Sequence, residues 1–354
     1  MTAELVRQLH GLGVIVDVGV FDNNGRGDRR ILEVAAPYLR ESVVFPCRGQ
    51  FDRSTIKALR RYVAERHIDV VHSHKYKTTF YGLLARRGSG ARLISTYHNW
   101  LGDTLALKFY AALDKRLARY CDAAVGVSHP VVDELRRYAP PGRVYYVGNG
   151  VDMDSYRRTA VAHLAKRALG LPEQSTVVGF VGRLSAQKGV SYLLQAMASL
   201  PDAMRSNTHF VVVGDGEHRA VLERQALDAN LTERVHFLGT RNDTPALYSA
   251  FDIFVLPSEC EAFPMVVLEA MACGVPVIGT DVGDVARIVE HGVSGLVVPP
   301  RDTDALRTAL CQLIVEPSTA RHMGDVAHER VVREHSALRM GQRYLAVYNA
   351  VLSR

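Results

Sequence analysis

Cysteine is scarce and scattered: the five residues Cys47, Cys121, Cys260, Cys273 and Cys311 form no Cys-x-x-Cys pair. That excludes a disulfide framework and a zinc knuckle, and predicts reduced, mostly core thiols. Long apolar runs are absent too, none reaching the ~18 to 20 residues of a spanning helix. The opening Met1-Thr2-Ala3-Glu4-Leu5-Val6-Arg7 does not read as a secretory leader, so a cytoplasmic protein is expected. There are no solenoid repeats and no low-complexity tracts. With 354 residues and 47% apolar composition, the chain is too long for one ordinary core and fits two domains.

Charge is unevenly shared. The net +6 divides into 23 Lys and Arg against 14 Asp and Glu over residues 1–150, and 20 against 23 over the remainder. A basic first half suits an anionic partner such as a membrane surface or a phosphorylated acceptor, although a solvated basic face gives the same count. Nothing in the pattern suggests nucleic acid.

The chain opens on a helix carrying Leu5, Leu9 and Leu12, followed by an apolar strand over Val14–Val20. Strands then alternate with helices of 10 to 15 residues up to Val147, the rhythm of a parallel sheet with right-handed crossovers. Gly148-Asn149-Gly150-Val151-Asp152 interrupts it, and the polar stretch Met153–Pro172, with Arg157, Arg158, Lys166 and Arg167, reads as the boundary. The rhythm resumes at Val177. The fold class is therefore α/β, with two doubly wound, Rossmann-like parallel-sheet domains: residues 1–150, onto which a last helix at about 337–354 packs back, and residues 151–336. In such folds ligands bind at the carboxyl ends of the strands.

One stretch stands out chemically. From Ala262 to Ile278 only Glu269 carries a charge, and Glu261 lies eight residues before it. Pro264 suits the first turn of a helix and Gly274 the residue past its end, which puts Glu261 in the preceding loop and Glu269 inside the helix. The amides of Met265 and Val266 then point out of a helix N-terminus, where an anion is favoured. On one continuous helix the two glutamates would stand about 12 Å apart, too far for a glycosidase acid and base. Glu269 could simply be paired with a core arginine; as a site, the pair suits the vicinal hydroxyls of a ribose and a sugar. A second cluster, Gly182-Arg183-Leu184-Ser185-Ala186-Gln187-Lys188-Gly189, follows a strand, where Arg183 and Lys188 suit phosphate oxygens and Gly182 a close backbone approach.

Together with Val213-Gly214-Asp215-Gly216, Val235-His236-Phe237-Leu238-Gly239, Leu268-Glu269-Ala270-Met271-Ala272 and Gly274-Val275-Pro276-Val277-Ile278, these blocks resemble, in order, the retaining glycosyltransferases of family four. The resemblance implies the two-domain GT-B fold and a nucleotide-sugar donor, with a UDP-sugar favoured. It implies that Glu261 contacts the donor sugar, that Glu269 holds the ribose, and that Arg183 and Lys188 hold the diphosphate. Gly182, Phe263, Met265 and Val266 would complete that site, with the base near Gly239, Thr240 and Arg241. In the first domain it places His98, within Thr96-Tyr97-His98-Asn99-Trp100, toward the donor sugar, and His74, Lys75 and Lys77 where the acceptor is received. The expected reaction is transfer with retention to a sugar or lipid-linked hydroxyl acceptor in envelope, exopolysaccharide or glycolipid synthesis, at the inner face of the cytoplasmic membrane. Rival readings are a nucleotide-sugar epimerase and a non-catalytic nucleotide-sugar binder.

No cofactor or metal is expected. His72 and His74 lie on one face of a strand but have no carboxylate or cysteine beside them. Asp152-Met153-Asp154 and Asp302-Thr303-Asp304 spell metal-binding triplets out of context, and Gly214-Asp215-Gly216 lacks the third glycine of a dinucleotide fingerprint. One departure is also noted: relatives begin with a strand and a Gly-rich loop before the first helix, whereas here Met1 falls at the helix start. A missing central strand would leave a slot lined by unpaired backbone, and the expectation is that the true start lies upstream.

Overall fold

The computed structural model describes residues 1–23, 29–98, 100, 104–157 and 162–354. Asn99 and Arg158, named above, lie outside them. The chain divides into two compact units, Met1–Gly150 with Ala337–Arg354, and Val151–Ser336.

In the first unit, β1 (Asp17–Asp22) pairs in parallel with β2 (Glu41–Pro46), and β3 (Val70–His74), β4 (Arg92–Tyr97), β5 (Ala123–Gly126) and β6 (Val144–Tyr146) form a second parallel sheet in that order. Strand β1 begins three residues later than the apolar pattern predicts. Gly13 adopts φ +83°, its amide bonds His10 O, and the Val14 amide bonds Leu9 O (both 3.0 Å), so the end of the first helix consumes this stretch. The sequence also gives no warning of the short helix Arg30–Ala35.

Among the described residues no ladder joins β1 to β3. Between them lies a cavity of about 150 Å³ bordered by Gly19 and Phe21 on one side and Val70 and His72 on the other. A larger one, about 580 Å³, opens toward Leu345 and Tyr348.

The last helix, Ala337–Leu352, buries Met340, Tyr344, Val347, Tyr348 and Val351 along one stripe. They meet Leu5 and Leu9 of the helix Thr2–Gly11 and Ile94 and Val125 of the sheet in one apolar cluster. Its approach is close at Gly341, where a Cβ would stand 2.7 Å from the Gln8 Cβ.

The second unit holds six parallel strands: β7 (Thr176–Val181), β8 (Thr208–Val213), β9 (Val235–Gly239), β10 (Ile253–Leu256), β11 (Val277–Thr280) and β12 (Gly295–Val298), in the spatial order β12-β11-β10-β7-β8-β9. Continuous apolar runs such as Phe210-Val211-Val212-Val213 are buried on both faces because helices cover both. Chain order runs outward from β7 through β8 to β9, then returns to β10 on the other side of β7. The topological switch point is therefore between β7 and β10, and a ligand crevice is expected at their carboxyl ends.

The stretch read as a polar boundary is partly a folded element of this unit. The helix Ala162–Ala168 buries Lys166, whose ammonium donates to Ser175 O (2.9 Å) and Asp252 Oδ2 (2.7 Å). A run of charges concealed a buried lysine paired with a half-exposed aspartate. The aspartate triplets are turns and caps: Asp152 Oδ1 accepts from the Asp154 amide (3.1 Å) and Asp302 Oδ1 from Ala305 (2.8 Å). All five cysteines are free thiols. Among the described residues no helix is long and apolar enough to cross a membrane.

Candidate active site

The switch point brings together the two clusters singled out in the sequence. After β7 the chain turns through Gly182–Gly189, and after β10 through Pro257–Pro264 into the helix Met265–Ala272. The loops touch where Gly189 takes φ +65°; a Cβ there would lie 1.9 Å from Pro257 O, so only glycine permits this approach. The Glu259 amide adds a bond to Gln187 O (2.8 Å). Lys188 thereby reaches Glu261: Nζ stands 2.6 Å from Oε1, and the Ser258 hydroxyl donates to the same oxygen at 2.8 Å. With side chains only 19% and 11% exposed, this is a sheltered pair rather than a surface one. The partner of Glu261 thus comes from 73 residues away in the chain.

Pro264 is not in the first helical turn, as its fixed φ suggested, but caps it in extended conformation (φ −76°, ψ 116°). The ladder starts with the Val267 amide on Pro264 O (3.3 Å), which leaves the Met265 and Val266 amides in the open first turn. Phe263 is buried against the His335 ring, centroids 5.7 Å apart, and so shapes the loop from behind.

Glu269 is not held by an arginine. Its Oε2 accepts from the hydroxyl of Tyr248 at 2.9 Å, a residue buried in the core. Burial pushes the Glu269 carboxyl above its ordinary range, and the Tyr248 hydroxyl opposes that rise. Tyr156 packs on Tyr248 with ring centroids 5.9 Å apart, closing an aromatic cradle round the carboxyl. Sequence reading gave Tyr248, Tyr156 and Ser258 no role, since their hydroxyls carry no charge and only the fold brings the two tyrosines to the Glu269 helix.

The remaining predicted residues of this unit lie at the carboxyl ends of β7, β8 and β9. Arg183 is 73% exposed and forms an ion pair with Glu217 (Nη2 to Oε2, 3.0 Å). Gly214, at φ +129°, brings the loop after β8 against the Gly182 carbonyl, where a Cβ would lie at 1.9 Å, and its amide bonds Gly239 O (2.8 Å). Gly182, Gly214 and Gly239 thus tie three strand ends together. Thr240 follows β9, and Arg241 turns to Asp243 (2.6 Å).

In the first unit, His74 ends β3 and His98 follows β4, with His74 Nδ1 and His98 Nε2 3.3 Å apart and the rings stacked. His72 stacks beneath (centroids 4.7 Å from His74) and spends both ring nitrogens on the Tyr348 and Thr96 hydroxyls, each at 2.7 Å. Lys75 adopts φ +72°, an uncommon conformation for a side-chain-bearing residue at a strand-to-helix turn. Lys77 is tied to Gly49 O (2.8 Å) and Asn23 Oδ1 (3.0 Å), whereas Lys75 is exposed.

Burial lowers the pKa of all three imidazoles, His72 to about 3 and His98 to about 4, against about 6.5 for an unfolded histidine. With folded values depressed, the neutral stack stabilises this unit fully above pH ~6.5 and less as pH falls through the folded values. Thermal unfolding is therefore expected to show a drop in Tm from pH 7 to 5 that the double substitution His74→Gln, His98→Gln blunts. An unchanged pH slope in that variant would contradict the assignment.

Two family models cover most of the chain: Glycosyltransferase Family 4 over residues 1–155 and Glycosyl transferases group 1 over residues 163–330. The D-inositol 3-phosphate glycosyltransferase of Salinispora tropica is 32% identical over 322 residues, covering 81% of this chain and 67% of that protein. The UDP-Gal:alpha-D-GlcNAc-diphosphoundecaprenol alpha-1,3-galactosyltransferase of Escherichia coli is 29% identical over 272 residues, 74% of this chain and 70% of that one. Anabaena Alr3699/HepE, crystallised with UDP, superposes with a TM-score of 0.84 at 21% identity, covering 99% and 96% of the two chains, a likeness of fold. The parallel sheets, the ordered motifs and these matches agree: the chain belongs to the glycosyltransferases, of the family-four type with the GT-B fold.

Proposed function

We propose that this glycosyltransferase moves a sugar, with retention of configuration, from a nucleoside diphosphate to a hydroxyl acceptor in the synthesis of an envelope polysaccharide or glycolipid. The observation that carries the reading is the sheltered Lys188–Glu261 pair at the switch point, beside an open helix N-terminus and a half-buried Glu269. In the proposed complex Glu269 accepts from the ribose hydroxyls through Oε1, since Tyr248 occupies Oε2. Glu261 keeps Oε2 for the sugar hydroxyls while Lys188 and Ser258 hold Oε1. The diphosphate lies between, met by Lys188, Arg183 and the amides of Met265 and Val266, donors aimed at the charge that grows as the bond to the sugar breaks. A UDP-sugar is the favoured donor, supported by the UDP-Gal and UDP named for the two relatives. The lipid-diphosphate acceptor named for the Escherichia coli enzyme supports an anionic, lipid-linked acceptor for the basic first unit.

The test is transfer from α-configured UDP-sugars to glycosyl and lipid-linked acceptors, with the anomeric configuration of the product read by NMR. An α-linked product is expected. A β-linked product would refute retention, epimerised donor without acceptor would favour the epimerase, and donor binding without any turnover the non-catalytic binder.

Arg183 also has a competing partner for the diphosphate. Glu217 accepts from Arg183 Nε and Nη2, so a diphosphate bound by Arg183 competes with that pair. Exposed pairs are weak, and Glu217→Gln is therefore expected to lower the donor KM by no more than about fivefold with kcat unchanged. Steady-state kinetics at low salt read this directly, and a raised KM would show that Glu217 assists rather than competes.

A further inference from the structure

The basic excess of the first unit is concentrated. Residues 72–120 contain nine Lys and Arg against two Asp and Glu, and one of those two, Asp114, is buried under Trp100, whose indole N–H donates to it at 3.0 Å. The helix Leu105–Leu117 runs through this region and exposes a stripe at helical spacing. Leu105 and Phe109, one turn apart, are 86% and 65% exposed, unusual values for large apolar side chains on a surface. Lys108 and Arg116 share their face, and Arg119 extends it beyond the helix end. None of these three cations takes part in an ion pair among the described residues. The inner side of the helix is anchored: Tyr110 stacks on Tyr76 of the neighbouring helix at 4.6 Å between centroids, and Lys115 pairs with Glu134 at 2.7 Å.

We infer that this face is a membrane-docking surface, with Leu105 and Phe109 entering the interfacial layer of a bilayer rich in anionic phospholipid and Lys108, Arg116 and Arg119 meeting its headgroups. Apolar residues flanked by cations, with no exposed carboxylate on the helix, match the chemistry of an anionic interface. The same pattern disfavours a second copy of this chain, because two such faces would oppose like charges. The inference deepens the proposed use of a lipid-linked acceptor by naming a surface and a lipid class. Its test does not pass through sugar transfer, so the two readings fail separately.

The experiment is co-sedimentation of the full chain with phosphatidylglycerol–phosphatidylcholine vesicles and with phosphatidylcholine vesicles at about 0.1 M salt, where charges on a shared surface are only partly screened. Binding to the anionic vesicles alone is expected. Leu105→Glu with Phe109→Glu should reduce it at least tenfold, and Arg116→Glu with Arg119→Glu should do the same by a different route, while Tm and donor affinity stay unchanged in both. Equal partition of wild type and both variants, or no binding of wild type to the anionic vesicles, overturns the inference. So does a result in which Leu105→Glu with Phe109→Glu alters only self-association in sedimentation equilibrium.

Discussion

Replacing Lys188 with alanine is expected to lower kcat for sugar transfer about 10²- to 10³-fold, the range measured elsewhere for removing one preorganised group that stabilises charge developing in the transition state. The size follows from the position of the ammonium. It is mostly buried, it is fixed by Glu261 at 2.6 Å, and the backbone contact at Gly189 leaves its loop no room to drift. It therefore needs little reorganisation when the diphosphate departs. Part of the effect will be structural, because Glu261 is left with Ser258 as its remaining partner in a sheltered place. The double substitution Lys188→Met, Glu261→Gln removes both charges and separates the two contributions. It should recover most of the Tm lost by Lys188→Ala and none of the kcat. Melting curves and saturating-donor kinetics on the three proteins check this; a single variant retaining kcat within threefold would remove Lys188 from the chemistry.

Glu269→Ala is expected to act on binding instead. Hydrogen bonds to a charged group contribute ~1.5–3 kcal/mol each, so losing the ribose contact should raise the donor KM roughly 10- to 150-fold, with kcat much less affected. The fold should tolerate the change, since the freed Tyr248 hydroxyl already lies 3.3 Å from Val266 O and has an acceptor in reach. Specificity for the contact comes from a second comparison. Wild type should lose affinity for a 2′-deoxy or 3′-deoxy donor, whereas Glu269→Ala should bind native and deoxy donors nearly alike. If both proteins discriminate equally, Glu269 has no part in ribose recognition.

How far the sequence anticipates this site depends on the kind of signal. Apolar runs, Gly189 and Gly274, and the isolation of Glu269 in an apolar stretch are local features, and they lead to the helix Met265–Ala272 and to the loop that carries Lys188. What the same residues touch is not local. The partner of Glu261 is 73 positions away and that of Glu269 is a tyrosine 21 positions earlier, indistinguishable in sequence from any other core aromatic. Lys166 shows the converse failure, a lysine in a charged run that folding buries against Asp252. Pro264 shows that a residue type fixes a boundary only to within one position.

The central claim is that the crevice at the β7–β10 switch point is a nucleoside-diphosphate site with Glu269 on the ribose. Isothermal titration of the full chain with UDP, GDP and ADP, repeated on Glu269→Ala, tests it most directly. The account predicts one site per chain, preferring UDP and weakened at least tenfold by the substitution; absence of binding by all three nucleotides, or binding that Glu269→Ala leaves untouched, would contradict it.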